Sequence, residues 1–133
     1  MIESAEQFRS LRESELPDEY SRAAHDDAQL EVWLDIIDRM PDWRFWVAQN
    51  KTVPISVLET LADDTNPRVR DMVARKRKLP EALQIKLARD ADPSVRCTLV
   101  QNAKLAPGAL AILTDDDDDM VAAALQRRSD KAK

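Results

Sequence analysis

The chain has 133 residues, enough for one hydrophobic core but hardly two independent ones, and carries 20 basic against 25 acidic side chains, a formal charge of −5. A single glycine, Gly108, stands where average usage would supply about nine, which excludes the P-loop, the dinucleotide fingerprint and the nucleophile elbow, all dependent on glycines at fixed offsets. One cysteine, Cys97, and one histidine, His25, cannot build a disulfide, a structural zinc site or an iron–sulfur cluster, so no cofactor is expected and the class left is all-α.

Residues 1–27 fit no repeat. Ser4-Ala-Glu-Gln7 reads as a capping box with Phe8 and Leu11 one turn apart behind it, and Pro17-Asp-Glu-Tyr20 opens a second short helix. Together they are expected to form a helical cap over the core that follows. The opening MIESAEQF has neither a basic n-region nor an apolar h-region, and no stretch approaches the ~20 apolar residues that cross a bilayer. The expectation is a cytoplasmic protein without a membrane partner.

From residue 28 the chain repeats with a period of 26. Pro41-Asp-Trp-Arg44 with Val47-Ala48, Pro67-Arg-Val-Arg70 with Val73-Ala74, and Pro93-Ser-Val-Arg96 with Leu99-Val100 share one pattern. An eroded fourth copy starts at Asp119, keeping Val121 and Leu125 but placing Ala122 at the arginine position. Upstream, Val57, Leu61 and Ala62 answer Leu83, Leu87 and Ala88, with Leu110 and Leu113 in the last copy. Pro54, Pro80 and Pro107 suit the first turn of one helix, and Asn66-Pro67 and Asp92-Pro93 set a side-chain cap directly before another. Each unit is thus a pair of short helices that cannot bury both faces alone, so neighbours must stack into a continuous core. The predicted architecture is a short α-solenoid of about four two-helix units, roughly 28–51, 52–77, 78–103 and 104–128, followed by a polar tail at 129–133, the whole forming one structural unit.

Asp38, Asp64, Asp90 and Asp116 recur at the same period, and the first three precede Arg44, Arg70 and Arg96 by six residues. With this second register the sequence resembles the HEAT-like repeats, specifically the short leucine-rich repeat variant, over residues 28–128; the unit Val53-Pro-Ile-Ser-Val-Leu-Glu-Thr-Leu-Ala-Asp-Asp-Thr-Asn-Pro-Arg-Val-Arg70 carries the likeness best. The resemblance implies that Asp38, Arg44, Asp64, Arg70, Asp90 and Arg96 form a structural ladder between adjacent units.

No catalytic or metal site is expected. His25 lies at the edge of the cap, Cys97 falls where other copies have Phe45 and Asp71, and a calcium loop counted from Asp115 meets Met120 and Gln126 where glycine and glutamate are needed. The aspartate run 115–119 reads instead as a solvated loop facing a helix N-terminus.

The informative side chains are aromatic. All six precede residue 47. Trp33 and Trp43 fall on core positions, while Phe45 and Trp46 match Asp71, Cys97, Met72 and Thr98, positions the repeat leaves polar or variable. Either this pair faces a partner or it packs under the cap. One face of the second helices reads Asp42, Phe45, Trp46, Gln49, then Arg68, Asp71, Met72, Arg75, then Ser94, Cys97, Thr98, Gln101, and Arg75-Lys76-Arg77-Lys78 follows as the one dense basic cluster. Charge is segregated along the chain at −9 for residues 1–66, +6 for 67–104 and −2 for the rest.

The reading is a non-catalytic protein-binding module whose concave stripe (Asp42, Phe45, Trp46, Gln49, Arg68, Asp71, Met72, Arg75, Lys76 and Thr98) grips a protein partner. Its small, acidic, cofactor-free profile suits a bacterial immunity protein that covers a toxin. The resemblance also admits a second class, since some HEAT-like proteins are DNA glycosylases that use Trp, Asp and Arg, here Trp46, Asp42 or Asp71, and Arg68. The net acidity disfavours nucleic acid. Oligomeric state and the partner's identity stay open at this level.

Overall fold

Prolines and Asx caps punctuate the chain often enough that no helix before the last exceeds ten residues. In the computed structural model, which describes residues 1–132, α-helices follow one another with a single 3-10 turn, and no strand is present among the described residues. The chain divides into two compact units, Met1–Leu61 and Ala62–Lys133.

The first unit contains α1 (Ala5–Glu13), α2 (Pro17–His25), α3 (Leu30–Arg39), α4 (Arg44–Gln49) and α5 (Ile55–Leu61). The capping box forms: Ser4 Oγ accepts the Gln7 N–H at 3.0 Å, and the Gln7 side chain reaches back to accept the Glu3 N–H. Ahead of it, Ile2 is fully buried and its N–H donates to the Asp27 carbonyl at 2.8 Å. α1 packs on α2 and α3, and α2 packs on α4. Phe8 meets Trp33 edge to face, centroids 5.6 Å apart, at the centre of this core. Asn50 is buried at the end of α4, where its Nδ2 donates to the carbonyls of Ala23 and Asp26 and its Oδ1 accepts from Thr52.

In the second unit α6 (Pro67–Ala74), α8 (Pro93–Val100) and α10 (Asp119–Ala132) pack side by side, as do α7 (Glu81–Ala88) and α9 (Pro107–Thr114). Like helices stack on like, as a solenoid requires. The residues that recur at the repeat period fill the interior: Val69, Val73, Leu83, Leu87, Val95, Leu99, Leu113 and Val121 are all buried. The lone glycine has no special backbone angle. Gly108 lies where α9 crosses α7, and a Cβ there would approach the Ile85 Cδ1 to 3.3 Å, so it serves close helix packing.

Four details differ from the sequence reading. Ala109, not Leu110, fills the core position matched to Leu83; Pro107 stands one residue beyond strict register, and Leu110 is 38% exposed. Trp43 is only half-buried, unlike its counterparts Val69 and Val95. The residue before Pro41 is Met40, which has no side-chain oxygen to cap a helix, and the segment Pro41–Trp43 starts as a 3-10 turn instead. Pro80 occupies the cap position of α7 rather than its first turn, its carbonyl accepting from Gln84.

Candidate protein-binding surfaces

The aspartate and arginine residues at the repeat period meet inside the second unit. Arg70 Nε and Nη2 donate to the two oxygens of Asp90 at 2.8 and 3.1 Å, while Nη1 donates to the Asp64 carbonyl at 2.8 Å. Arg96 repeats the arrangement with Asp116 at 2.7 Å and the Asp90 carbonyl at 2.6 Å. In the first unit Arg44 Nε donates to the Ile37 carbonyl at 2.7 Å, and Asp38 is exposed. Both ends of the Arg70–Asp90 and Arg96–Asp116 pairs are largely buried, and Arg70 is held above the ordinary arginine range by the Asp90 carboxylate.

Each aspartate of this ladder has a further duty. Asp64, Asp90 and Asp116 accept the N–H two residues on, from Asn66, Asp92 and Asp118, and those three residues in turn cap α6, α8 and α10 by accepting from Arg68, Ser94 and Met120. Two Asx turns in series therefore steer the chain into every second helix of the unit. The aspartate run resolves accordingly: Asp116 takes Arg96 and Asp118 caps α10. No group of three His, Cys, Asp or Glu side chains among the described residues is arranged to hold a metal ion.

His25 is exposed and its Nδ1 lies 3.0 Å from the Ser21 carbonyl. Burial pushes the Cys97 thiol above its ordinary value, so it stays protonated at neutral pH.

The stripe residues fall into two groups. In the first unit Phe45 and Trp46 meet edge to face at 4.8 Å, both half-buried, with Gln49 half-buried and Asp42 exposed nearby on the chain. The Arg12 guanidinium of α1 lies 3.5 Å from the Trp46 ring centroid and 4.3 Å from that of Tyr20, so one cation is layered between two aromatic faces. The cap thus covers one face of Trp46 while Tyr20 stays 49% exposed beside Leu16 at 61%. Arg12 Nε is buried without a hydrogen-bond partner, which leaves the π faces as its main hold.

In the second unit the stripe is internally bonded. Asp71 accepts from Thr98 Oγ1 across the α6–α8 interface and from Arg75 Nε at 3.0 Å on its own helix. Arg68 is exposed, and Met72 and Lys76 are half-buried.

Sequence reasoning missed Arg12 and a second polar ladder. Asn50, Lys76, Asn102 and Arg128 recur at the same spacing of 26. Asn102 Nδ2 donates to the Lys76 carbonyl at 3.1 Å, and Arg128 Nη1 donates to the carbonyls of Val100 and Asn102 at 3.0 and 2.7 Å. The spacing was visible, but the residue types change from copy to copy. Buried Gln84 was also missed; it bonds the Leu79 and Lys104 carbonyls and the Ala106 N–H. Compared with protein-family models, curated proteins and solved structures, the chain gives no match.

Proposed function

We propose that the chain is a non-catalytic protein-binding module of the HEAT-like, leucine-rich repeat variant kind, and that its principal contact surface is the Tyr20–Arg12–Trp46 stack with Phe45 beside it. The observation that carries this reading is the layering itself. Tyr, Trp and Arg are the residue types that dominate interface energetics, and here they are pre-stacked and partly exposed, so little rotamer freedom is left to lose on binding. An Arg held by two aromatic faces also keeps donors for a partner's carbonyl or carboxylate.

A photo-crosslinking amino acid placed at Leu16 should capture one predominant protein in the producing cell. Against that purified partner, Tyr20→Ala and Arg12→Ala should each weaken binding by about thirtyfold, the worth of a roughly 2 kcal/mol anchor. Folded variants that bind like the parent chain would refute the assignment. A captured enzyme that loses activity in the complex would support the immunity-protein form of the reading.

A further inference from the structure

The second unit carries a separate surface that this reading does not use. Its charges divide along the helix axes. Asp63, Asp64, Asp90, Asp92 and the 115–119 run gather where the second helices begin, and the Arg70–Asp90 and Arg96–Asp116 bonds tie those beginnings together. The other ends are basic: the Asn102–Lys76 bond sets the ends of α6 and α8 side by side, and the Arg128–Asn102 bond lays the later half of α10 against them. Cations are favoured there by the helix dipoles. Arg77, Lys78, Lys104, Arg127 and Lys131 exceed that need: all five are exposed and none makes an ion pair among the described residues.

Between these ends runs a cleft of about 590 Å³. Ala124, Arg127, Arg128 and Lys131 lie on one stripe of α10 at helical spacing, so the floor is aliphatic, from Ala124, Val100 and Ala103, and the rim is cationic. A smaller cleft of about 210 Å³ continues from it past Gln101 and Ala103 toward Arg75 and Arg77. We propose that this basic, apolar-floored cleft of the second unit binds an acidic linear segment of another protein, one that places aliphatic side chains on the floor between carboxylates paired with Arg127, Lys131 and Arg77.

The cleft favours such a peptide over nucleic acid. Single strands are gripped by aromatic stacking platforms, and the second unit contains no aromatic residue. Phosphates are also drawn to helix N-termini, whereas here the N-termini are faced by aspartates and the cations sit on the later half of α10 and beyond the ends of α6 and α8.

The test uses the full chain and fluorescence anisotropy with three labelled probes: an Asp/Glu-rich dodecapeptide containing two leucines, the same peptide with serine for leucine, and a single-stranded oligonucleotide. The leucine peptide should bind most tightly, and weaken with salt. The double variant Arg127→Glu/Lys131→Glu should lose about tenfold or more in affinity while keeping its helical circular dichroism, and Lys51→Glu, a charge change on the other unit, should have no effect. Equal binding of the serine peptide would overturn the role of the floor. Tighter binding of the oligonucleotide, or a double variant that binds like the parent chain, would overturn the proposal. None of these readings depends on Tyr20 or Arg12, so failure here leaves the first surface to stand or fall by its own variants.

Discussion

Met1–Leu61 contains all six aromatic residues and thirteen acidic against six basic side chains, whereas Ala62–Lys133 has no aromatic and is near balance, with fourteen basic and twelve acidic. The first unit is held by large rings, Phe8 on Trp33 and Phe45 on Trp46, and its prominent ion pairs are exposed: Arg39 bridges Glu6 and Asp35 in solvent, lowering both carboxyls. The second unit is held by aliphatic residues at a fixed period together with buried ion pairs that recur at the same period. Charge that is buried between two repeats fixes register; charge paired in solvent contributes little to stability.

The comparison breaks most visibly at Trp33. It is 1% exposed, so Trp33→Ala should leave a cavity that lowers stability by about 4 kcal/mol in denaturant unfolding. A loss near that of an exposed site would mean the first unit does not rely on its aromatic core.

Next comes Arg70→Ala, which strands the 6%-exposed Asp90 carboxylate and should cost about 3 kcal/mol. Its counterpart Arg39→Ala should leave the unfolding midpoint unchanged, because Arg39, Glu6 and Asp35 all sit in solvent. Similar shifts for the two variants would erase the distinction drawn between buried and exposed pairs.

Asp92→Ala removes a helix cap and should cost about 1 kcal/mol. The same contribution should respond to pH. Asp92 is held below the ordinary carboxylate value first by the Ser94 N–H and then by the Ser94 hydroxyl, so its stabilisation is complete above that ordinary value and is lost as pH falls through the lower, folded one. The parent chain and Asp92→Ala should therefore converge in stability once pH has fallen below that lowered value; a gap that persists in acid would assign the cost of the variant to something other than the carboxylate.

The smallest effect tests the α7–α9 crossing. Gly108→Ala gains helix propensity and needs only the tip of the Ile85 side chain to shift, so it should stabilise by about 0.5 kcal/mol. Destabilisation would show that the crossing is too tight for a methyl group.

Most of the second unit was legible because its constraints repeat. Three arginines six residues after three aspartates announce a ladder, and Asn66-Pro67 and Asp92-Pro93 announce helix starts. What stayed hidden was which aspartate each arginine would choose: Arg70 takes the side chain of Asp90, twenty residues ahead, and only the carbonyl of Asp64. The first unit was less legible, since its contacts occur once. Nothing in the local pattern of Arg12 or Tyr20 says that they will layer with Trp46, because that contact depends on how α1, α2 and α4 pack. The charge pattern misled in one respect, reading as a division along the chain when in the second unit it runs along the helix axes.

The reach of twenty residues has a genetic consequence. A tandem duplication of residues 67–92 would bring one new ladder arginine and one new ladder aspartate, copies of Arg70 and Asp90, in the spacing they need, and would strand neither the old pair nor the new. Array length can therefore change in whole steps of 26 without passing through an intermediate that buries a lone charge. The last repeat unit, residues 104–128, accepts Arg96 through Asp116 and has Ala122 where its own arginine would project, so the added step leaves its end of the ladder satisfied.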